Sequence, residues 1–297
     1  MKLSLVIPFI DNVDITKHCI ETAVKNVKLG STFCDFELVL LDNGSDKANS
    51  KIIKKYADAM AADGLFIRNE ENVGVLPSFK QAFQETDSDI ICFIHNDVLI
   101  HQEDWVNMVV HAFTTVPNLG LAGIFGAVGV GENGGRIRSQ SQMLGLEWGA
   151  CQCHSVAWQH HSEFMDGISP AAILDGVGMF FSRQAANNLM ETDMFDSWRA
   201  PHHFYDRIIP LKLIDKGFKI ATIGLGFDHW SGATANSSGK YITTGLNWLK
   251  ENNKYVEGEA VDSQIYNIAE QQFFGEFGKR IPCYVHSDWN YEWRGLA

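Results

Sequence analysis

Apolar runs and polar breaks alternate with two different periods along the first 115 residues. LSLVIP at 3–8 is almost wholly apolar and stops at Pro8. Residues 14–28 then place Ile15, Cys19, Ala23 and Val27 at helical spacing, one face of an amphipathic helix. FELVLL at 36–41 is a second buried run, closed by Asp42-Asn43-Gly44-Ser45-Asp46, a turn and helix-start cluster. Ile52, Ile53, Tyr56 and Met60 line the helix that follows, and GLFIR at 64–68 is a third strand. Asn72, Val73 and Gly74 lead into a helix through Ala82 and Phe83. Residues 89–95 form a fourth strand, and a helix runs from about Glu103 to Thr114.

Strands that are apolar along their whole length, separated by helices, predict a mostly parallel sheet covered on both faces. Ligands bind such sheets outside the carboxyl ends of the strands. Asp11, Asp42, Asn72 and Asp97 each come directly after one of the four strands, so they are expected along one edge. Asp97 interrupts an apolar stretch, IICFIHNDVL, and lies too far upstream to cap the 103–114 helix.

The second half is less regular. Residues 120–150 are glycine-rich and predict loops and short strands. ILDGVGMFFSR at 173–183 reads as a strand with a turn at Asp175-Gly176. A helix is expected over 204–216, a strand over 218–223, and then the loop GLGFDHWSGAT. Two helices, near 240–254 and 262–278, are expected to close the chain. With no internal repeat or low-complexity linker, one continuous domain is expected: 1–118 and 119–232 as its two halves, and 233–297 as a C-terminal helical extension.

Composition narrows the classes. The 297 residues are 45% hydrophobic and 20% charged, enough to bury a sizeable core. Lys plus Arg number 24 against 36 acids, a formal net charge of −12, which argues against nucleic acid as a partner. The N-terminal run is too short for a secretory leader, and no window is long and apolar enough for a membrane span. Six irregularly spaced cysteines read as reduced thiols, so a cytoplasmic protein is expected, free to associate peripherally with a membrane. Nothing in the sequence signals an oligomeric state.

Seven segments in order resemble the inverting glycosyltransferases of family 2, with the GT-A fold. They are LSLVIPFIDN, ELVLLDNGSD, NEENVG, FIHNDV, LDGVGMFFSR, YDRIIPLKLIDKGFKI and DHWSG, spanning roughly residues 3 to 232. Three positions depart from the family pattern. The acidic DxD-type motif is reduced to His95-Asn96-Asp97, Tyr205 replaces the Glu of an ED pair, and Lys80 replaces an Asn of the third helix.

The resemblance implies a nucleotide-diphosphate sugar donor, UDP- or dTDP-linked, and an acceptor hydroxyl on a glycan, glycolipid or glycoprotein. Asp97 and His229 are then expected to hold a divalent metal that neutralises the diphosphate. One carboxylate and one imidazole suit Mn²⁺ somewhat better than Mg²⁺. Asp42 is expected at the base, flanked by Pro8 and Ile10, with Asp11, Asn72 and Asn96 also on the nucleotide and His95 packing under the site. Asp206, in the first turn of a helix, is the expected general base. Asp175, its rival, is assigned with Gly176, His203 and Trp230 to the acceptor.

Two motifs are set aside. Gly129-Val130-Gly131-Glu132-Asn133-Gly134 matches GxGxxG but lacks the strand–turn–helix frame of a dinucleotide site. Cys151, Cys153 and His154, near His160 and His161, lack the spacing of a structural zinc site and read as an acceptor-side loop. Trp148, Trp158, Trp198 and Trp230 are candidates for a sugar-stacking surface. The competing functions are a catalytically weak sugar- or nucleotide-binding module and a nucleotidyltransferase. The latter would want a basic, glycine-rich N-terminal loop, which PFIDNVD is not.

Overall fold

The computed structural model describes residues 1–30, 34–61, 64–137, 167–198, 200–230 and 239–295. The Cys151–His154 loop, Trp148 and Trp158 lie outside the described residues. The first half follows the alternation of its sequence: β1 (Lys2–Phe9), α1 (Val13–Gly30), β2 (Asp35–Asn43), α2 (Lys47–Met60), β3 (Leu65–Asn69), α3 (Val75–Glu85), β4 (Ile90–Ile94), β5 (Val98–Ile100) and α4 (Trp105–Thr115). The second half adds β6 (Leu119–Gly123), β7 (Gly126–Ala127), β8 (Gly129–Val130), β9 (Arg136–Ile137), β10 (Ile168–Pro170), β11 (Ile173–Leu174) and β12 (Gly178–Ser182). Then come α5 (Arg183–Met190), α6 (Met194–Ser197), α7 (Tyr205–Asp215), β13 (Lys219–Ile223), β14 (Phe227–His229), α8 (Gly239–Glu251), α9 (Val261–Phe277), β15 (Cys283–Val285) and β16 (Tyr291–Trp293).

Eight of the described strands form one sheet in the order β10-β13-β6-β12-β4-β1-β2-β3. Strands β4, β1, β2 and β3 are mutually parallel, which brings their carboxyl ends to one edge. Strand β12 runs antiparallel to both β4 and β6, and β10 antiparallel to β13, so the sheet is mixed although its half from β4 to β3 is parallel.

Both faces are covered, which is why the strands show no polar alternation. Leu3, Leu5, Ile7, Leu38, Leu40, Cys92 and Ile94 pack with Cys19, Ile20, Trp105 and Val109 of α1 and α4. Their neighbours Val6, Val39, Leu41, Ile91 and Phe93 point the other way, into a cluster with Phe79, Ile208, Ile265 and Phe273. That second cluster also takes in Leu249, Ile281 and Cys283, so the C-terminal segment shares its core.

The expectation that two helices close the chain needs correcting. Strands β15 and β16 form a hairpin that joins β8 and β9 in a four-stranded sheet. Gly129 allows this, because a Cβ there would stand 2.8 Å from the Cys283 carbonyl oxygen. The GxGxxG match is therefore largely strand and turn, and strand β9 follows it. A second correction concerns the loop after β13. Residues 227–229 pair antiparallel with β5, with His229 opposite Val98.

Candidate functional site

A cavity of about 460 Å³ opens at the carboxyl edge of the sheet, beside Pro8, Phe9 and Ile10 of β1 and Ile94 to Asp97 after β4. The chain runs outward from β1 through β2 to β3, then restarts with β4 on the other side of β1. That reversal is the switch point at which such sheets open a crevice. Asn43, Asn72, Gly74 and Ser78 add to the wall, as do Arg136, Asp175, Gly176, Tyr205 and Asp206, together with Pro201 to Phe204 and Tyr266.

The residues expected on the nucleotide fall into two groups. Pro8, Ile10, Asn72 and Asn96 line the cavity. Asn72 Oδ1 accepts from Asn43 Nδ2 at 2.7 Å and from the Gly74 N–H at 3.0 Å, fixing the turn into α3. Asn96 donates through Nδ2 to Thr16 Oγ1 at 2.9 Å. Asp42 and Asp11 stand behind the wall. Asp42 is fully buried, accepts from the Ser45 N–H at 2.8 Å and is ion-paired with Arg68. Asp11 accepts from the Asp46 N–H and from Asn49, and lies 2.8 Å from Lys240 Nζ at the start of α8. Burial works against its charge, but these partners hold its carboxyl below the usual range.

Asp97 is buried and caps nothing, since α4 begins only at Trp105. Its Oδ1 lies 3.3 Å from His229 Nε2 and 3.9 Å from His95 Nδ1, and among the described residues no hydrogen bond reaches that oxygen. The potential ligand atoms of His95, Asp97 and His229 all lie within 4.8 Å of one another. Burial opposes the Asp97 carboxylate, yet the two imidazoles hold its pKa below the ordinary value. Burial also lowers the His95 pKa, against the pull of Asp97, and so favours the neutral, ligating imidazole. A buried carboxylate oxygen without a hydrogen bond, facing two imidazoles, is a donor set that fits a divalent cation.

The second cluster is a carboxylate pair on one cation. Arg136 Nη2 lies 2.5 Å from Asp206 Oδ2 and 2.8 Å from Asp175 Oδ2. Asp175 Oδ1 also accepts from the Val177 N–H at 3.1 Å. Burial would raise the Asp175 pKa, but Arg136 and that N–H hold it down. Burial likewise opposes the Arg136 charge, which the two carboxylates more than restore.

Asp206 is placed by an unusual approach to α7. His203 and Phe204 have φ of 69° and 58°, left-handed values that cost a non-glycine residue about 1–2 kcal/mol each. Phe204 is held there by Tyr266 and Phe273 of α9, with ring centroids 5.2 Å away in both cases. His202 Nε2 and His203 Nε2 meet Asp262 Oδ1 of the same helix at 3.3 Å and 2.9 Å. Trp230 stands outside the cavity wall, 43% exposed and edge-on to His18, while its backbone N–H donates to the Asp97 backbone carbonyl at 3.0 Å.

Sequence reasoning missed Arg136, Arg68 and Lys240, and it placed His95 only as packing. Arg136 sits in a glycine-rich stretch whose pattern carries no hint of a partner. His95 and Tyr205 were visible only as departures from a motif.

The model of the family described as Glycosyl transferase family 2 matches residues 4–185. Among solved structures, the mannosyltransferase PcManGT from Pyrobaculum calidifontis, in complex with GDP-Man and Mn²⁺, aligns with a TM-score of 0.52 at 11% identity, covering 93% of this chain and 70% of its own. GalNAc-T7 with UDP, GalNAc and Mn²⁺ aligns with a TM-score of 0.57 at 12% identity, covering 93% of this chain and 56% of its own. At such identities the likeness speaks for the fold, which is that of the GT-A glycosyltransferases. No curated protein matches the sequence.

Proposed function

The chain belongs to glycosyl transferase family 2, and from that premise we propose that it is a metal-dependent inverting hexosyltransferase. It moves a sugar from a UDP- or dTDP-sugar to a hydroxyl of a glycan, glycolipid or glycoprotein acceptor. The observation that carries this reading is the meeting, at one cavity, of Asp97, itself paired with His229, and the Asp206–Asp175–Arg136 cluster.

Pro8 and Ile10 offer apolar faces to the base, and Asn72 and Asn96 lie at hand for ribose and phosphate. Asp42 acts at the base through Arg68, whose guanidinium it holds, and Asp11 through the Lys240 contact that ties α8 to the β1 loop. Asp97 and His229 would hold a divalent cation, which one carboxylate and one imidazole suit as Mn²⁺ somewhat better than as Mg²⁺. When bound, the cation neutralises the departing diphosphate. The two fold relatives described above carry Mn²⁺ with GDP-Man or UDP, in keeping with this reading.

Asp206 takes the proton of the acceptor hydroxyl as that oxygen attacks the anomeric carbon from the face opposite the diphosphate. Arg136 grips Oδ2 and leaves Oδ1 for the acceptor. Asp175 is held from two sides and serves binding rather than proton uptake. Gly176 and His203, in the wall, and Trp230, exposed beside Asp97, complete the acceptor side. The enzyme works in the cytoplasm on a surface polysaccharide or a related glycan. No described helix is long and apolar enough to cross a membrane.

The test is a thermal-shift screen of UDP-, dTDP- and GDP-sugars, with and without Mn²⁺, followed by donor hydrolysis and transfer assays. A donor at ~100 times its Kd adds about 2.7 kcal/mol of stability. Stabilisation by UDP- or dTDP-sugars with Mn²⁺ and turnover are expected. Binding without any hydrolysis or transfer points instead to a silent sugar-nucleotide module, and the absence of any shift removes the reading altogether.

A further inference from the structure

Two of the departures from the family pattern, His95 in place of an acid and Tyr205 in place of Glu, meet in the fold. His95 Nε2 lies 3.4 Å from the Tyr205 hydroxyl. The other ring nitrogen, Nδ1, faces Asp97 Oδ1 at 3.9 Å, and His229 Nε2 approaches the same oxygen at 3.3 Å. The His95 and His229 rings are 5.6 Å apart and tilted by 57°, so they are not stacked on one another.

We propose that His95 is a third protein ligand of the cation, positioned by Tyr205, and that two imidazoles with one carboxylate select Mn²⁺ and Co²⁺ against Mg²⁺. The proposal rests on the metal-dependent reading above. Metal-bound histidines characteristically engage their second ring nitrogen in a hydrogen bond, which sets the tautomer. With the proton on Nε2, the Tyr205 hydroxyl 3.4 Å away accepts it and the Nδ1 lone pair is left to the cluster. A glutamate at 205 could serve the same end, but its charge would add to an already acidic site holding Asp175 and Asp206. Gly176 makes the arrangement fit, because a Cβ there would overlap the Tyr205 hydroxyl. Mg²⁺ prefers oxygen ligands and keeps its waters, whereas imidazole suits the later divalent ions. Replacing an acid of the motif by His95 therefore changes which ion the site takes. Mere packing of His95 under the site would predict no such change.

The experiment titrates the purified full chain with Mn²⁺, alone and with saturating UDP, by electron paramagnetic resonance, with Mg²⁺ as competitor. Pulsed measurements on bound Mn²⁺ count the imidazole nitrogens. Two imidazoles are expected in the wild type and one in His95→Asp. His95→Ala should weaken Mn²⁺ by about 10–100-fold, and Tyr205→Phe by about 10-fold. His95→Asp should bind Mg²⁺ more tightly and narrow the Mn²⁺/Mg²⁺ ratio. Circular dichroism confirms that each variant is folded. Unchanged Mn²⁺ affinity and ion preference in both His95 variants, with loss in Asp97→Ala and His229→Ala, overturns this proposal and spares the metal reading. Failure of the wild type to bind Mn²⁺ even with UDP overturns both.

Discussion

Arg136→Met removes the one described cation between two acids and keeps much of the side-chain volume. Asp175 Oδ2 and Asp206 Oδ2 stand 2.8 Å and 2.5 Å from the same Nη2. Their oxygens are thus within roughly 5 Å of each other, where two unit charges repel by about 3 kcal/mol at an effective dielectric near ~20. Breaking a buried pair from one side costs about 3–5 kcal/mol. Arg136, Asp175 and Asp206 keep side-chain exposures of 21%, 23% and 13%, so solvent screening trims this. A loss of about 2–4 kcal/mol at neutral pH follows, some 3–6 °C in Tm for a chain of this size.

The sign with pH is fixed by the lowered Asp175 pKa. A depressed folded-state pKa contributes stability above the unfolded value and loses it as pH falls through the folded one. Without Arg136 the Asp175 carboxylate loses the cation that lowers its pKa and keeps a like-charged neighbour. The Tm gap between variant and wild type is therefore widest near neutrality and closes only as pH falls below about 4, through the lowered Asp175 pKa. Thermal unfolding from about pH 2.5 to 8 measures it. Adding Asp175→Asn to Arg136→Met should recover most of the loss. A gap below about 0.5 kcal/mol, or one that ignores both pH and the second substitution, refutes the carboxylate-pair argument.

Asp206→Asn keeps shape but cannot take a proton, so kcat should fall by about 10²–10⁴-fold with donor affinity near normal; retained turnover would move the base to Asp175. Asp97→Ala should abolish Mn²⁺-dependent donor binding with little loss of fold, and His229→Ala should do so less completely; transfer by Asp97→Ala at the wild-type rate in chelator contradicts the metal site. Asp42→Asn should weaken free UDP or dTDP by about 1.5–3 kcal/mol in calorimetry, through its hold on Arg68; unchanged affinity removes the Asp42–Arg68 pair from the base end.

Periodicity and motif order together made the parallel half of the fold legible. Apolar strands such as FELVLL need both faces covered, and helices between them enforce parallel pairing, so Asp11, Asp42, Asn72 and Asp97 reach one edge whatever the details. Local chemistry could say that a carboxylate stands at that edge. It could not say which way the carboxylate faces, because that depends on groups far away in the chain. Asp42 turned inward to Arg68, while Asp97 met His229.

Tertiary structure decided everything that rests on long-range pairing. Pairing of β14 with β5 carries His229 to Asp97 across more than a hundred residues, and three-residue strands leave almost no periodic trace. Gly129 reads as loop composition until β15 needs the space a side chain would fill. Arg136 acquires its meaning only when the antiparallel pairing of β8 with β9 sets it between Asp175 and Asp206. The sequence by itself determined the layers, the edge and the residue types gathered there, because these follow from short-range pattern and burial. Which atoms face one another, and so which ion, base and partner each acid serves, was left to contacts between segments that no local pattern encodes.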